Sequence, residues 1–338
     1  MNPPNVSVLI VSWNHGDLLR LAVESMLHQT WRDLEVLVVD NGSKDGSIEA
    51  LQAAVGDSRL RVDRLPENRG IAAGINHGAR LCRGRFIALM DSDDTSHPRR
   101  IELQMAALEA EPGLTGVCCD IRLMDGDGRP LGELCNFHTP EEIRLYAGYN
   151  MPFHHPALLL QREIFDRLQY RSQFEISADF DFIARAVQDH RFASLPLLLY
   201  NYRRHPGSVT LSRPSPALLS SALVRVAIGR RAAGRAEDLD GLRRLYEQFV
   251  STETPVWRAY LRLAALGRDE GAYVIACLHA ALAVREKPGL RTAIAYAWSL
   301  LVAMIHEPQV LRLAFAGMTK GPFWLLLKRR GFPAFPRY

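Results

Sequence analysis

Short apolar runs alternate with amphipathic stretches over the first two thirds of the chain. The apolar runs are long enough to be buried strands, and the stretches between them place apolar residues near the 3.6-residue period of a helix. The predicted strands cover residues 5–12, 34–39, 60–65 and 86–90. The predicted helices cover 17–28, a stretch that is capped by Asp45 or Ser47 and runs to about 54, and 71–82. Because such alternation is typical of parallel pairing, we expect a doubly wound α/β sheet flanked by helices.

The pattern continues less regularly to about residue 213. We expect a helix at 99–110, a strand at 114–123, a hairpin turn at Asp125–Pro130 and a further strand within 152–160. A helix then begins near Ser177, and a strand follows at 192–200. These elements complete the predicted first domain, residues 1–213.

From residue 214 onward the chain becomes rich in alanine, leucine and arginine and contains only helical patterns. Breaks at prolines and at Gly267 separate helices that we expect near 216–234, 238–250, 255–266, 270–284, 289–305 and 308–316. We therefore predict an all-helical C-terminal domain, residues 214–338. Its longest uncharged run, Thr292–His306, has 15 residues and is too short to cross a membrane. The segment Phe323–Arg330 is aromatic, apolar and then basic, which suits either an interfacial membrane anchor or a last helix packed on the bundle.

Charge is distributed unevenly along the chain. Residues 1–214 carry 23 Lys/Arg against 28 Asp/Glu, whereas residues 215–338 carry 18 against 9. A basic second half indicates either an acidic surface such as anionic lipid or a solvated helical exterior. Five cysteines without metal-ligand spacing, and an N-terminus without a signal-peptide pattern, lead us to expect a cytoplasmic protein.

Three carboxylates directly follow the predicted strand at 86–90, namely Asp91, Asp93 and Asp94. Carboxylates at the end of a buried strand are costly unless a positive charge lies between them, and divalent cations favour oxygen ligands. Taken alone, the triplet is better explained as a polar turn after a strand. However, ligands bind at the carboxyl ends of parallel strands, and polar clusters also follow the other predicted strands. These clusters are Ser12–Asn14, Asp40–Asn41 and Asn68–Gly70.

A second acidic position opens the helix near Ser177. Asp179 lies in the first helical turn and off the apolar face formed by Phe180, Ile183 and Val187, so it can face a cleft. An acidic residue in this position is also favourable for the helix dipole alone.

Residues 5–210 resemble family-2 glycosyltransferases, which have the GT-A nucleotide-sugar-binding fold. The resemblance covers about 60% of the chain. The matching segments, in order, are 6–14, Val38–Ser43, Asn68–Ala72, Gly84–Asp94, Pro98–Ile101, His155–Pro156, Ala178–Asp181 and Tyr202–His205.

The resemblance implies a role for each matching position. The base and ribose pocket would contain Ser12, Asn14, Asp40, Asn41 and Arg69. Asp91 would contact the ribose or a metal-bound water, and Asp93 would bind Mn²⁺ or Mg²⁺ on the donor diphosphate. His205 would belong to the metal site and, with Arg203, would help to hold the pyrophosphate or close the site. Asp179 matches the catalytic base.

These roles imply an inverting, metal-dependent glycosyltransferase, a hexosyl- or N-acetylhexosaminyltransferase of surface-polysaccharide assembly. The donor would be a nucleotide-sugar, with UDP favoured and dTDP as the alternative, and the acceptor a glycan or lipid-linked hydroxyl. No nucleic-acid partner is expected, whereas homodimerisation and peripheral contact with the anionic inner face of the cell membrane are candidate interactions. Two other classes remain open: a non-catalytic sugar-nucleotide-binding scaffold and a sugar-1-phosphate nucleotidyltransferase.

The sequence departs from the family pattern at two positions. Asn41 stands where a second acidic residue is frequent, which changes the hydrogen-bonding pattern offered to a pyrimidine. Ala178 replaces a common glutamate before the base. Asp181 could compensate for the missing glutamate or act as the base itself.

Overall fold

The structure, a computed structural model, describes residues 3–205, 207 and 214–269, together with 279, 280, 282, 283, 286–289, 292, 294–296 and 299. The chain divides into two compact units. The first consists of Met1–Ala147 and Met151–Ser208, and the second of Gly148–Asn150 and Val209–Tyr338.

The first four long strands form a parallel sheet, as their apolar runs predict. They are β1 (Val6–Ser12), β2 (Leu34–Asp40), β3 (Leu60–Arg64) and β4 (Phe86–Asp91), connected by helices α1 (Asp17–Leu27), α2 (Ser47–Ala54) and α3 (Ile71–Leu81). β1 lies between β2 and β4, with Ser12 beside Asp40 and Val11 beside Asp91. This register brings the polar residues at the strand ends to one edge of the sheet.

Helix α3 packs unusually close to the sheet because two of its residues are glycines. A Cβ atom on Gly78 would lie 2.3 Å from Leu9 Cδ1, and one on Gly74 would lie 2.6 Å from Val11 Cγ1. Since neither position leaves room for a side chain, larger residues would push the helix outward. The close packing holds the N-terminal end of α3, which begins just after Gly70, near the end of β1.

The other half of the sheet is mixed, in contrast to a uniformly parallel arrangement. The additional strands are β5 (Thr95–Ser96), β6 (Gly116–Met124), β7 (Pro130–Leu134), β8 (Leu159–Gln161) and β9 (Phe192–Arg203). The strand order is β3-β2-β1-β4-β8-β6-β9-β5, and β7 pairs with β6 as a hairpin. β6 and β9 are parallel, whereas β8 is antiparallel to both of its neighbours and β5 is antiparallel to β9.

The helices of this half are α4 (Arg100–Ala110), α5 (Pro140–Ala147), α6 (Glu163–Arg167) and α7 (Ala178–Asp189), with 3₁₀ turns at His155–Ala157 and Ser172–Ser177. The sequence pattern missed the short elements β5, β7, α5 and α6, whereas the hairpin turn at Asp125–Pro130 is confirmed between β6 and β7. The prediction of an α/β sheet flanked by helices and followed by a helical region is confirmed.

The described part of the second unit is helical. It contains α8 (Pro214–Ala232), α9 (Leu239–Ser251) and α10 (Val256–Asp269), within about three residues of the predicted bounds. Both α9 and α10 contact α8, where Leu223 and Val226 are buried. No helix among the described residues is long and apolar enough to cross a bilayer. The predicted helices at 270–284 and 289–305 fall mostly, and those at 308–316 and Phe323–Arg330 entirely, outside the described residues.

Candidate active site

The loops after β1 and β2 are fastened to each other by hydrogen bonds. Asp40, buried at the end of β2, accepts a hydrogen bond from Ser43 N at its Oδ1 atom (2.9 Å). Asn14 N donates to Ser43 Oγ (3.0 Å), and Asn14 Oδ1 accepts from Lys44 N (2.8 Å). Ser12 is buried, and no hydrogen bond to its hydroxyl is found within the part of the chain that the structure describes. A polar group buried without a partner at a strand end is a candidate contact for a ligand.

Asn41 uses its side-chain amide to hold the loop that follows β3. Its Nδ2 atom donates to Asn68 Oδ1 (3.0 Å) and to Gly70 O (3.2 Å), and its Oδ1 atom accepts from Arg69 N (3.0 Å). The side chain is buried, and both ends of the amide are engaged. A carboxylate could not donate these two bonds, so the loop accounts for asparagine at this position.

Two large side chains stand exposed at this edge of the sheet. Arg69 has 55% of its side chain exposed, and its nearest carboxylate, Glu67 Oε1, is 3.9 Å away. Trp13, between Ser12 and Asn14, is 49% exposed. An exposed indole beside buried polar groups provides an apolar face on which a planar ring can stack. The sequence analysis assigned no role to Trp13, although a tryptophan directly after a predicted strand could have been taken as a candidate ligand contact.

The three aspartates after β4 form one cluster, in which their carboxylate oxygens lie within 4.8 Å of one another. They are not equivalent. Asp94 is fully buried, and its Oδ2 and Oδ1 atoms accept from the Tyr200 hydroxyl (2.8 Å) and from Arg203 N (2.6 Å). Because both of its carboxylate oxygens accept hydrogen bonds from β9, Asp94 has a structural role in this loop. Asp91 and Asp93 therefore remain as the carboxylates best placed to bind a cation.

His205 completes this arrangement. Its Nε2 atom lies 2.8 Å from Asp93 Oδ2, and the two side chains are only 17% and 13% exposed. An imidazole nitrogen beside two carboxylates is a donor set that suits Mn²⁺, and the carboxylates alone suit Mg²⁺. The residues present thus fit the cation that the sequence motif implies.

The electrostatics of the cluster show an excess of buried negative charge. Burial first, and then the charges of Asp93 and Asp179, raise the pKa of Asp91 to about 8. Burial and the two neighbouring aspartates likewise raise the pKa of Asp94 well above its ordinary value. A divalent cation would offset this repulsion.

Asp179 faces the same cluster from helix α7. It lies in the first turn of the helix, and its Oδ1 atom accepts a hydrogen bond from Phe180 N (2.8 Å). Its charge contributes to the raised pKa of Asp91, so the two carboxylates repel each other. Burial raises the pKa of Asp179 to about 6. A carboxylate with such a pKa is ionised at neutral pH and is a better proton acceptor than an ordinary aspartate.

Asp181, the alternative base, has a different environment. Its side chain is 1% exposed and forms ion pairs with Arg185 (Oδ2 to Nη2, 2.9 Å) and Arg171 (Oδ1 to Nη1, 3.6 Å). A buried carboxylate between two guanidinium groups has a structural role in fixing the helix. The geometry therefore favours Asp179 over Asp181 as the proton acceptor.

Arg203 is buried at the end of β9, and its guanidinium contacts main-chain carbonyls. Nε donates to Asp93 O (2.9 Å), and Nη1 donates to Gly126 O (2.8 Å) and, more weakly, to Asp125 O (3.4 Å). Nine of the ten sequence-predicted site residues thus lie at the carboxyl ends of strands or in the loops that follow them, and the tenth, Asp179, lies in the first turn of α7. The supporting role of Tyr200, whose hydroxyl also accepts from Asp91 N (3.1 Å), had no sequence signal.

Comparison with known proteins agrees with this arrangement. Residues 7–169 match the model of glycosyl transferase family 2. The chain carries a family-2 glycosyltransferase domain. The predictions of this family and of a glycosyltransferase enzyme are thereby confirmed.

Relatives by sequence include an uncharacterized glycosyltransferase, MJ1057, of Methanocaldococcus jannaschii, 27% identical over 60% of this chain and 72% of its own length. The succinoglycan biosynthesis protein ExoO of Rhizobium meliloti is 36% identical over 39% of each chain. The hyaluronan synthase of Pasteurella multocida is 26% identical over 62% of this chain, which spans only 21% of that protein.

Solved structures share the fold at low identity. The S. aureus TarS 1–349 structure in complex with UDP-GlcNAc has a TM-score of 0.56 at 16% identity, covering 92% of this chain and 83% of that one. The mannosyltransferase PcManGT of Pyrobaculum calidifontis, in complex with GDP-Man and Mn²⁺, has a TM-score of 0.51 at 18% identity, covering 91% and 82%. These similarities establish the GT-A fold.

Proposed function

We propose that this protein is an inverting, metal-dependent glycosyltransferase that moves a sugar from a nucleoside-diphosphate donor to an acceptor hydroxyl. The observation that carries the proposal is the carboxylate cluster of Asp91, Asp93 and Asp94 at the end of β4, with the His205 imidazole 2.8 Å from Asp93 Oδ2. The charge of Asp179, in the first turn of α7, also contributes to the raised pKa of Asp91.

The nucleoside would lie across the ends of β1, β2 and β3. The buried hydroxyl of Ser12, the carboxylate of Asp40 and the fixed loop 12–14 offer polar contacts, while Trp13 and Arg69 stand exposed at the margin. Because Asn41 uses its amide on the neighbouring loop, we propose that it shapes the pocket and supports Arg69, rather than hydrogen-bonding the base directly.

UDP is the favoured nucleotide, with dTDP as the alternative. Two structural neighbours support a nucleotide-sugar donor, since one was solved with UDP-GlcNAc and the other with GDP-Man. The sequence identities to these two structures are only 16% and 18%, so binding experiments are needed to identify the nucleotide base and the sugar of the donor.

Asp91 and Asp93, assisted by His205, would hold Mn²⁺ or Mg²⁺ against the donor diphosphate. When bound, the cation supplies positive charge that stabilises the leaving diphosphate. A raised pKa at Asp91 supports this assignment, because the protein here concentrates negative charge in a poorly hydrated site.

Asp179 would remove the proton of the acceptor hydroxyl as its oxygen attacks the anomeric carbon. A pKa of about 6 leaves the carboxylate ionised at neutral pH, while making it basic enough to accept a proton in the transition state. With one base and no enzyme nucleophile, the reaction is a single displacement, and the anomeric configuration inverts. The two ion pairs of Asp181 support the choice of Asp179 for this role.

The acceptor is proposed to be a glycan or a lipid-linked glycan of a surface polysaccharide. The basic second half of the sequence supports contact with an anionic membrane surface. Flotation with anionic liposomes at low and high salt tests this contact, and neutralising Lys328, Arg329 and Arg330 together should abolish it. Flotation that persists after this change would contradict a role for the terminal segment.

Calorimetric titration with UDP, dTDP and GDP, each with and without Mn²⁺, tests the donor site. We expect one nucleotide to bind weakly without metal and more tightly with Mn²⁺, and this gain in affinity should be lost in Asp93→Asn. Failure of all three to bind in the presence of Mn²⁺ would refute the catalytic proposal.

A further inference from the structure

The end of strand β9 is connected to each of the three aspartates at the end of β4, Asp91, Asp93 and Asp94. The Tyr200 hydroxyl lies between Asp91 N and Asp94 Oδ2, and the main-chain N–H of Arg203 donates to Asp94 Oδ1. The side chain of Arg203 adds the contact to Asp93 O (2.9 Å). The position of the Asp93 carboxylate therefore depends on a strand more than 100 residues later in the sequence.

The guanidinium of Arg203 also reaches a second element, the β6–β7 turn formed by residues 125–128. This turn is rigid because Asp125 Oδ1 accepts from both Asp127 N (3.0 Å) and Arg129 N (2.8 Å). Gly128 N donates to Asp125 O (3.1 Å) and closes the turn. The carbonyls of Asp125 and Gly126 point to Arg203 Nη1.

Arg203 is thus a buried cation held by three neutral carbonyls on two different segments. A guanidinium can serve both segments at once because its donors are arranged in a rigid, planar fork. A lysine at the same place would keep the charge but would carry its donors on a single atom. The contacts of Arg203 therefore depend on shape as well as on charge.

We propose that Arg203 is a positioning residue, which fixes Asp93 for cation binding by bridging the acidic loop to the 125–128 turn, and that it is not a ligand of the donor diphosphate. This inference deepens the proposed function and rests on its cation site. It also implies that the exposed 125–128 turn helps to position the cation site through Arg203. Groups that orient metal ligands in this way typically change metal affinity by about 10- to 100-fold when they are removed.

Binding of Mn²⁺ alone, measured from the electron paramagnetic resonance signal of the free ion, tests the proposal without requiring a nucleotide or turnover. In Arg203→Lys we expect Mn²⁺ to bind at least about tenfold more weakly than in the wild type. Arg204→Lys is the matched control, because Arg204 is exposed and contributes its main-chain N–H to the structure, donating to Met124 O (2.8 Å). Its Mn²⁺ affinity should equal that of the wild type.

A second pair of variants tests the bridge from its far end. Asp125→Ala removes the acceptor that holds the turn rigid, and we expect weaker Mn²⁺ binding although residue 125 belongs to another segment. Asp127→Ala removes the same charge from the same turn, but among the residues that the structure describes, the Asp127 side chain pairs only with exposed Arg129 (3.1 Å). Unchanged Mn²⁺ affinity in Asp127→Ala therefore excludes a general effect of charge. Equal effects in the two alanine variants would overturn the bridge.

UDP binding without metal separates positioning from direct contact with phosphate. A positioning role leaves metal-free UDP affinity unchanged in both Arg203→Lys and Arg203→Met, while Mn²⁺ affinity falls in both. Loss of metal-free UDP affinity in Arg203→Met, with Mn²⁺ affinity retained, would overturn the proposal and assign Arg203 to the diphosphate. If the wild type binds Mn²⁺ but no nucleotide, the proposed function fails while the role of Arg203 is still decided by the Mn²⁺ measurements.

Discussion

Replacing Asp179 by asparagine removes the proposed proton acceptor and one buried negative charge, while preserving the size and shape of the side chain. The amide oxygen can still accept the hydrogen bond from Phe180 N, so the start of helix α7 should remain intact. The expected result combines a loss of activity with a gain in stability.

The gain in stability follows from the pKa of Asp179. Burial raises it from 3.8 to about 6, so the folded protein favours the protonated form. The cost of ionisation is absent below pH 3.8, grows between pH 3.8 and 6, and is complete above pH 6, where it amounts to about 3 kcal/mol. Asparagine avoids this cost. Because the pKa of about 6 already includes the main-chain hydrogen bonds at the start of the helix, the expected stabilisation at pH 7.5 is about 3 kcal/mol.

Thermal unfolding at pH 7.5 should therefore show a Tm higher by about 6–12 °C for Asp179→Asn. Release of nucleoside diphosphate from the donor, with water or glycan as acceptor, should fall by about 10²- to 10⁴-fold, the usual contribution of a general base. Nucleotide affinity in the presence of Mn²⁺ should change little.

Asp181→Asn is the matched control, because the same chemical change occurs two residues away in the same helix. It leaves the buried guanidinium of Arg185 without its nearest counter-charge, which costs about 3–5 kcal/mol. We expect a lower Tm but nearly normal turnover per folded molecule. A folded Asp181→Asn variant without activity, or an Asp179→Asn variant with more than about a tenth of the wild-type rate, would refute the assignment of the base.

Three further changes test other parts of the site. The rate should rise with pH as Asp179 loses its proton, reaching about half of its plateau near pH 6 or below, and a rate that falls across this range would contradict a basic role. Gly42→Ala should unfold at a lower Tm than Gly46→Ala, because both glycines have φ near +80° but only at Gly42 would the added Cβ lie 2.7 Å from neighbouring main chain. Tyr200→Phe should cost about 1–3 kcal/mol of unfolding free energy by leaving an oxygen of buried Asp94 unpaired, and an unchanged Tm would show that this hydrogen bond is dispensable.

The sequence was most informative where local patterns determine structure. Buried parallel strands are visible as apolar runs, and their polar ends fall on one edge of the sheet because parallel strands share a direction. The register that places Ser12 beside Asp40 and Val11 beside Asp91 follows from this rule. The acidic loop could accordingly be singled out from the sequence by this rule, whereas Asp179 was singled out by its place in the first turn of a predicted helix and by the family resemblance.

The sequence was least informative where side chains meet over long distances. The hydrogen bond from the Tyr200 hydroxyl to Asp94 joins residues 106 positions apart, and no periodicity indicates it. Likewise, the choice between Asp179 and Asp181 depends on where Arg171 and Arg185 are placed by folding. A sequence pattern gives the residue type, whereas the partners of a buried polar group are determined by tertiary packing.

The proposed nucleoside-binding residues and the proposed proton acceptor also come from separate parts of the amino-acid sequence. The loops proposed to hold the nucleoside follow β1, β2 and β3, all of which precede residue 65, whereas Asp179 and His205 belong to the part of the chain after β8. Strand β4, with its acidic loop, lies between the two groups of strands. Substitutions in the first segment can therefore alter which nucleotide is bound, while the proposed proton acceptor Asp179 and the residues around it are unchanged. Recombination near residue 84 would exchange all of the loops proposed to bind the nucleoside in one step.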